Sequence, residues 1–188
     1  MSFIPLYMDM NKLKVLLVGG GTIATDKLEK LIEFTQDITV VATDITPQCL
    51  AIIDQYSLSS EERAYKKGDI QGYDIVIVAT DTINLHKEIY EESRASRVLV
   101  NSVDNTDYCD FIFPSYIKRG DLTIAFSTSG SSPAFAKQIR RYFENKIPKD
   151  IDIFLQQMRE LRQILPKGKE RMKKFELMAQ EYIEKNFG

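Results

Sequence analysis

Cysteine is scarce in this chain, histidine occurs once, and long apolar runs are missing; each shortage removes a class of function. The two cysteines, Cys49 and Cys109, stand far apart and in no C-x-x-C pattern, so neither a disulfide framework nor a thiolate zinc site is expected, and a reducing compartment is the natural setting. The single histidine, His86, has no nucleophile or metal-ligand pattern beside it in sequence. A non-catalytic role is expected for it, whether it reaches a ligand cleft or faces solvent. No apolar run approaches the ~20 residues of a bilayer span. The N-terminal "MSFIPLYMDMNKLKVLLVGGG" has no basic stretch ahead of an apolar one, so a soluble, cytoplasmic protein outside any membrane is expected. A formal net charge of −2 argues against bulk electrostatic binding of nucleic acid.

What is present is an ordinary globular composition of 188 residues, 44% hydrophobic and 28% charged. That is enough for a real core, as one domain or one domain with a smaller appendage. From residue 14 to about 103, short β-branched runs alternate with amphipathic stretches. "KVLLV" (14–18), "ITVVA" (38–42), "YDIVIVAT" (73–80) and "VLVNSV" (98–103) predict four strands. Between them, "TIATDKLEKLIEF" (22–34), "PQCLAIIDQY" (47–56) and "NLHKEIYEESRAS" (84–96) predict helices, the second with Pro47 in its first turn. Strands apolar on both faces and separated by helices predict an α/β fold, a Rossmann-like parallel sheet with helices on both faces. Beyond residue 104 the rhythm changes. "FIFPSYI" (111–117) and "LTIAFST" (122–128) flank "KRGD", a strand pair turning at Gly120, and "SPAFAKQIRRYFENKI" (132–147) is a helix opened by Pro133. From Pro148 the chain is helical and charge-rich, with a break at Pro166–Gly168. The expected domains are residues 1–112, a small αβ segment over 113–148, and a C-terminal helical domain over 149–188.

"LLVGGGTIA" places Gly19, Gly21 and Ala24 in a G-x-G-x-x-A spacing, directly after a strand and directly opening a helix. Gly19 permits the tight turn, Gly21 lets the backbone approach a pyrophosphate with no Cβ in the way, and Ala24 allows close helix–strand packing. The N–H groups at the helix start, with its dipole, attract a diphosphate. A dinucleotide is the expected ligand, and another nucleotide such as S-adenosylmethionine the alternative. Its contacts are expected from Gly19, Gly20, Gly21, Thr22, Ile23 and Ala24, and from Thr80 and Asp81 after the third strand. Thr43 and Asp44, about twenty residues on, are the candidates for the ribose anchor. An acid there favours NAD over NADP, because it repels a 2′-phosphate. The competing role for Asp44 is to cap the "TPQCLAII" helix.

Three acids follow the fourth strand at a spacing of three: Asp104, Asp107 and Asp110, with Cys109 among them. The stretch lacks the alternating oxygen ligands and terminal Glu of a calcium loop, so no metal site is expected. Asp107 and Asp110 are expected to shape a turn, and Cys109 to be a small buried hydrophobe. Asp104 lies just past the C-terminal end of a predicted strand, where open α/β sheets bind ligands, with Phe111 and Phe113 following. It is either a general base with a pKa raised by partial desolvation or a turn-forming residue. "STSGSSP" (127–133) sets Ser127, Thr128, Ser129, Gly130, Ser131 and Ser132 ahead of a helix. There the helix-start N–H groups hold a substrate carboxylate, or the loop simply caps the helix. Lys137, Arg140 and Arg141 on that helix, and Lys167, Lys169, Arg171, Lys173 and Lys174 in the tail, either concentrate an anionic substrate or solvate a helix face.

Taken together, "FIPLYMDM", "VLLVGGGTIATDKLEKLIE", "IVIVATD", "NSVDNTDYCDFIFPS" and "RGDLTIAFSTSGSSPAFAKQIR" resemble the precorrin-2 dehydrogenase family of siroheme synthesis, over about the first three quarters of the chain. The combination of N-x-V-D with F-I-F-P and then G-D-L-T-I-A-x-S-T-x-G-x-S-P carries the resemblance. It implies NAD-dependent oxidation of precorrin-2, a polycarboxylate tetrapyrrole, to sirohydrochlorin within a homodimer, with residues 113–148 as the dimerisation segment. It places catalysis on Asp104, and it fits substrate contacts at Ser127 to Ser132, Lys137 and Arg140. It also marks Thr128 as a position where relatives carry a phosphorylatable serine. Thr82 and His86 stand where the family often has an acid and an asparagine, and Ser129 replaces a glycine. Two alternatives remain: a bifunctional enzyme that also inserts Fe²⁺ or Co²⁺, and a non-enzymatic dinucleotide-sensing module.

Overall fold

A computed structural model describes residues 3–103 and 105–187; Asp104, the expected catalytic acid, lies outside the described residues. Two compact units divide the chain, one running from Phe3 to Ile112 and the other from Phe113 onward.

In the first unit β1 (Val15–Val18), β2 (Ile38–Ala42), β3 (Ser59–Glu62), β4 (Ile75–Val78) and β5 (Leu99–Ser102) form one sheet in the order β3-β2-β1-β4-β5. Every neighbouring pair is parallel. β1 and β4 lie side by side in register, Val15 opposite Ile75 through Val18 opposite Val78, and both are buried at every residue. Strands buried on both faces need helices on both. Right-handed crossovers put α1 (Thr22–Leu31) and α2 (Pro47–Tyr56) on one face and α3 (Ile83–Ser93) on the other. On one face Leu16, Val18, Val41, Val76, Val78, Val98 and Val100 close on Ile70 and Ile89. Burying each such side chain stabilises the fold by roughly 1.5–3 kcal/mol.

The four strands expected from the apolar runs are all present, and β3 is a fifth. Its sequence is Ser-Ser-Glu-Glu, exposed at all four positions, so no apolar pattern announces it. It joins through backbone pairing with β2, Thr39 opposite Ser59 through Ala42 opposite Glu62, and its charges guard a sheet edge against further pairing. Just beyond it, Arg63 donates to Asp69 at 2.6 and 3.1 Å and to Glu61 at 2.7 Å. Burial alone would raise the Asp69 carboxyl, but this guanidinium and the Lys66 N–H hold it below its ordinary value.

The second unit pairs β6 (Ser115–Arg119) with β7 (Leu122–Phe126) antiparallel. The two-residue turn between them uses Gly120 at φ +54°, where a Cβ would fall 2.8 Å from that of Asp152. Three helices follow, α4 (Pro133–Glu144), α5 (Ile151–Ile164) and α6 (Lys169–Phe187). Ile117, Ile147 and Ile151 form the core, joined by Leu122, Ile124, Phe126, Leu155 and Tyr182. Tyr182 stacks on Phe154 with ring centroids 4.1 Å apart and donates to Asp150 at 3.0 Å. Burial and that bond push its phenol up to about 12. α5 ends before Pro166, where Leu165 is already extended, and Arg171 of the basic tail donates to the Arg162 and Leu165 carbonyls at 3.2 and 3.1 Å. No helix among the described residues is long and apolar enough to cross a membrane.

Arg119 ties the strand pair to the end of α4: it donates to the carbonyls of Ile147 at 2.5 Å, Glu144 at 2.8 Å and Pro148 at 3.2 Å. A cation at a helix C-terminus, with charged hydrogen bonds, makes this a strong cap. Arg119→Met should lower stability by about 2 kcal/mol in urea unfolding, with Arg119→Lys in between. Asp69 supplies a pH test. Its folded pKa is depressed, so its contribution is full above the unfolded value of 3.8 and disappears as pH falls through the folded one. Asp69→Asn should therefore be less stable than wild type at pH 7, and thermal melts should show the gap closing below pH 4.

Candidate dinucleotide site

The chain leaves β1 through Gly19 at φ +124°. A Cβ there would fall 2.2 Å from the Ala79 carbonyl oxygen, and one on Gly20 would fall 2.4 Å from the Asp44 carbonyl oxygen. Both obstacles are backbone, which cannot swing aside, so both positions require glycine. Gly21 differs: a Cβ added there meets nothing within 4 Å. Its missing side chain leaves open space at the start of α1.

Hydrogen bonds fix this turn from two sides. Gly19 N donates to Val41 O at 2.9 Å, and Thr46 donates to Gly20 O through N at 2.9 Å and Oγ1 at 3.0 Å. Thr25 donates to Gly21 O through N and Oγ1, each at 2.9 Å. That backbone bond is the first of α1, and no side chain caps the helix. The N–H groups of Thr22, Ile23 and Ala24 therefore lie ahead of the helical ladder. Together with the helix dipole they form a positive end beside the open space at Gly21, an arrangement that could hold a diphosphate. Ala24 is wholly buried, so α1 starts hard against the sheet.

Thr43 and Asp44 follow directly on β2, and both are exposed. The capping role considered for Asp44 belongs to Thr46, whose Oγ1 accepts from Cys49 N at 3.4 Å. Thr46 precedes Pro47, and a residue before proline takes the extended backbone that an N-cap needs. Asp44 is left exposed near the carboxyl end of β2. Half-buried Thr80 and exposed Asp81 occupy the equivalent place after β4, where α3 also begins without a side-chain cap.

The residue that sequence reasoning did not place is His86, only 4% exposed. Nε2 lies 2.8 Å from the Thr80 carbonyl oxygen. A carbonyl only accepts, so Nε2 carries the proton and Nδ1 accepts from Ser102 Oγ. Thr80 Oγ1 lies a further 3.3 Å from Nε2. The only sequence signal was a lone histidine soon after an apolar strand.

The segments flanking Asp104 are held by side chains. Cys109 Sγ accepts from Ser102 N at 3.2 Å and donates to Ser102 O at 3.1 Å. The small buried hydrophobe expected is instead a half-buried pin of the turn, with its sulfur hydrogen-bonded, and burial pushes its thiol up. Asp110 accepts from Val100 N at 2.9 Å and from Arg94 at 2.8 and 2.5 Å. Asp107 is exposed in the short 3-10 turn Thr106–Tyr108. Asn101 donates to Phe111 O at 2.8 Å, while its buried Oδ1 has no partner among the described residues.

In the second unit, Ser132 caps α4 by accepting from Phe135 N at 3.2 Å. Thr128 Oγ1 accepts from Ser132 N at 3.0 Å, and Ser127 Oγ from Ser129 N at 3.1 Å. Ser129 and Gly130 both have positive φ, and Ser131 N donates to Thr128 O at 3.0 Å. Lys137 is exposed, and Arg140 is paired with Glu144 at 2.5 Å.

A parallel sheet with a glycine turn opening an uncapped helix defines a dinucleotide-binding α/β protein. A family model described as putative NAD(P)-binding matches residues 6–115, and the chain belongs to that family. A second model, for the central part of a sirohaem biosynthesis protein, matches residues 119–146. Among curated proteins, the siroheme synthase of Pseudoalteromonas atlantica is 33% identical over 153 residues, 81% of this chain and 33% of the relative. Siroheme synthase 1 of Serratia proteamaculans is 34% identical over 148 residues, 79% and 31% of the two chains. The chain thus spans about a third of the length of these relatives. A solved structure described as SirC, precorrin-2 dehydrogenase, matches with a TM-score of 0.79 and 26% identity, covering 95% of this chain and 88% of its own.

The two outer glycines should fail differently. Gly21→Ala meets no atom and should cost the fold no more than about 1 kcal/mol, while weakening NAD⁺ at least about tenfold in titration calorimetry. Gly19→Ala should lower the melting temperature as well, because its Cβ strikes the Ala79 carbonyl.

Proposed function

We propose that this chain oxidises precorrin-2 to sirohydrochlorin with NAD⁺, as a cytoplasmic homodimer serving siroheme synthesis. The observation that carries the reading is the open, uncapped start of α1 at Gly21, in a chain that aligns over 95% of its length with a precorrin-2 dehydrogenase. The cofactor supplies the hydride acceptor. The protein's own residues bind, orient and take the proton. Thr22, Ile23 and Ala24 N–H groups hold the diphosphate, and Thr80 and Asp81 line the neighbouring strand end. Asp44 accepts from a ribose hydroxyl and repels a 2′-phosphate. The first arginine in the chain, Arg63, is committed to Asp69 and Glu61, which favours NAD over NADP.

Removing a hydride from the tetrapyrrole leaves a proton to be taken up, and Asp104, two residues after Ser102 in sequence, is assigned as the general base. In the second unit, the Ser127–Ser132 loop with Lys137 and Arg140 is assigned to the substrate's carboxylates. Phe135 and Tyr142, each 60% exposed on α4, with Phe143 beside them, are the proposed homodimer surface. Both cysteines are free thiols, as the cytoplasm maintains them.

The test is anaerobic incubation of the protein with NAD⁺ and precorrin-2, followed by absorbance. Sirohydrochlorin and NADH should appear together, and unchanged precorrin-2 would remove the assignment. Asp104→Ala should keep NAD⁺ affinity within about twofold while turnover drops at least about a hundredfold.

A further inference from the structure

We propose that His86 is a positioning residue that locks the end of β4 to the end of β5, so that the segment leading into Asp104 keeps its place relative to Thr80 and Asp81; this rests on the dehydrogenase assignment above. The backbone ladder between these two strands runs as far as Val103 N on Val78 O at 2.9 Å. The His86 ring adds a side-chain link between Thr80, two residues past β4, and Ser102, the last residue of β5. It reaches from the fourth residue of α3 to the Thr80 carbonyl on one side and the Ser102 hydroxyl on the other.

Both partners are themselves fixed. Ser102 is 2% exposed, and its backbone N–H and carbonyl are both engaged by Cys109. Thr80 Oγ1 accepts from Thr82 N at 3.4 Å, at the start of α3. The buried ring therefore has both nitrogens satisfied, which a buried polar group requires, and its orientation admits one neutral tautomer, with the proton on Nε2. Leucine or alanine offers neither contact. Asparagine keeps one of the two, with Oδ1 in the place of Nδ1 as acceptor for Ser102 Oγ, while its amide nitrogen is one bond too short to reach Thr80 O. His86 touches neither expected cofactor atoms nor substrate in this account; it acts through the two turns it joins.

Because His86 is the only histidine, the imidazole ¹⁵N signals of untagged protein report this ring alone. Long-range ¹H–¹⁵N spectra should show the Nε2–H tautomer, with and without NAD⁺. His86→Ala should lower kcat by about tenfold to a hundredfold, as a small misplacement of reacting groups does, with KM for precorrin-2 and NAD⁺ affinity within about threefold. His86→Asn, which keeps the Ser102 contact alone, should restore part of kcat. Ser102→Ala, which opens no large cavity, should show the same kcat loss even if His86→Ala does not fold. An Nδ1–H tautomer, or wild-type kcat in Ser102→Ala, would overturn the proposal, as would a kcat in His86→Asn no higher than in His86→Ala. Inactive wild-type protein would instead sink the dehydrogenase assignment, and the tautomer would still decide whether the clamp exists.

Discussion

The backbone at Gly19 and Gly20 runs so close to two neighbouring segments that no Cβ fits: the Ala79 carbonyl lies on one side and the Asp44 carbonyl on the other. β1 is the central strand, flanked by β2 and β4, so the loops leaving all three strands converge on this turn. Their closeness follows from the sheet. Parallel strands in register, apolar on both faces, end side by side, and the crossing chains have nowhere else to go. Glycine lets that packing close without strain, and the closure aims the start of α1 outward. At Gly21, one residue on, the crowding stops, and the room left there is the proposed seat of a ligand's phosphates.

Around this turn and along β5, short polar side chains do what larger apolar ones do in the core. Thr25 and Thr46 bind glycine carbonyls, Cys109 binds both backbone groups of Ser102, and Asp110 holds Val100 N with Arg94 behind it. Each bond contributes only about 1 kcal/mol net, and somewhat more where a charge is involved. Their shared effect is rigidity at the carboxyl ends of the strands, where open α/β sheets bind ligands. Residues that look like turn formers in sequence thus act as fasteners.

How much of this was legible follows from where each signal lies. Strands β1 and β4 are written in uninterrupted apolar runs and β2 and β5 in shorter ones broken by Thr39 or ended by Asn101 and Ser102, with α1, α2 and α3 in apolar spacing between them, so the parallel sheet could be read directly. β3 could not, because its four residues are polar and exposed; backbone pairing with β2 holds it, and pairing leaves no mark on composition. Thr46 as the cap of α2 was legible in the Thr-Pro pair, although Asp44 two positions earlier is an equally good capping residue type. The partners of His86 and Asp110 depend on which strand ends lie adjacent, which becomes known only after the chain has folded. The glycine turn was legible because its chemistry is local: strand, glycines and helix follow one another directly.

The account stands on a dinucleotide diphosphate resting at the start of α1. Backbone ¹H–¹⁵N spectra recorded during titration with NAD⁺ test that most directly. Saturable shifts should concentrate at residues 19–24, with smaller ones at 43–46 and 80–82, and with Gly21→Ala should need at least about tenfold more NAD⁺ to saturate. Shifts absent from residues 19–24, or centred elsewhere in the first unit, would contradict it.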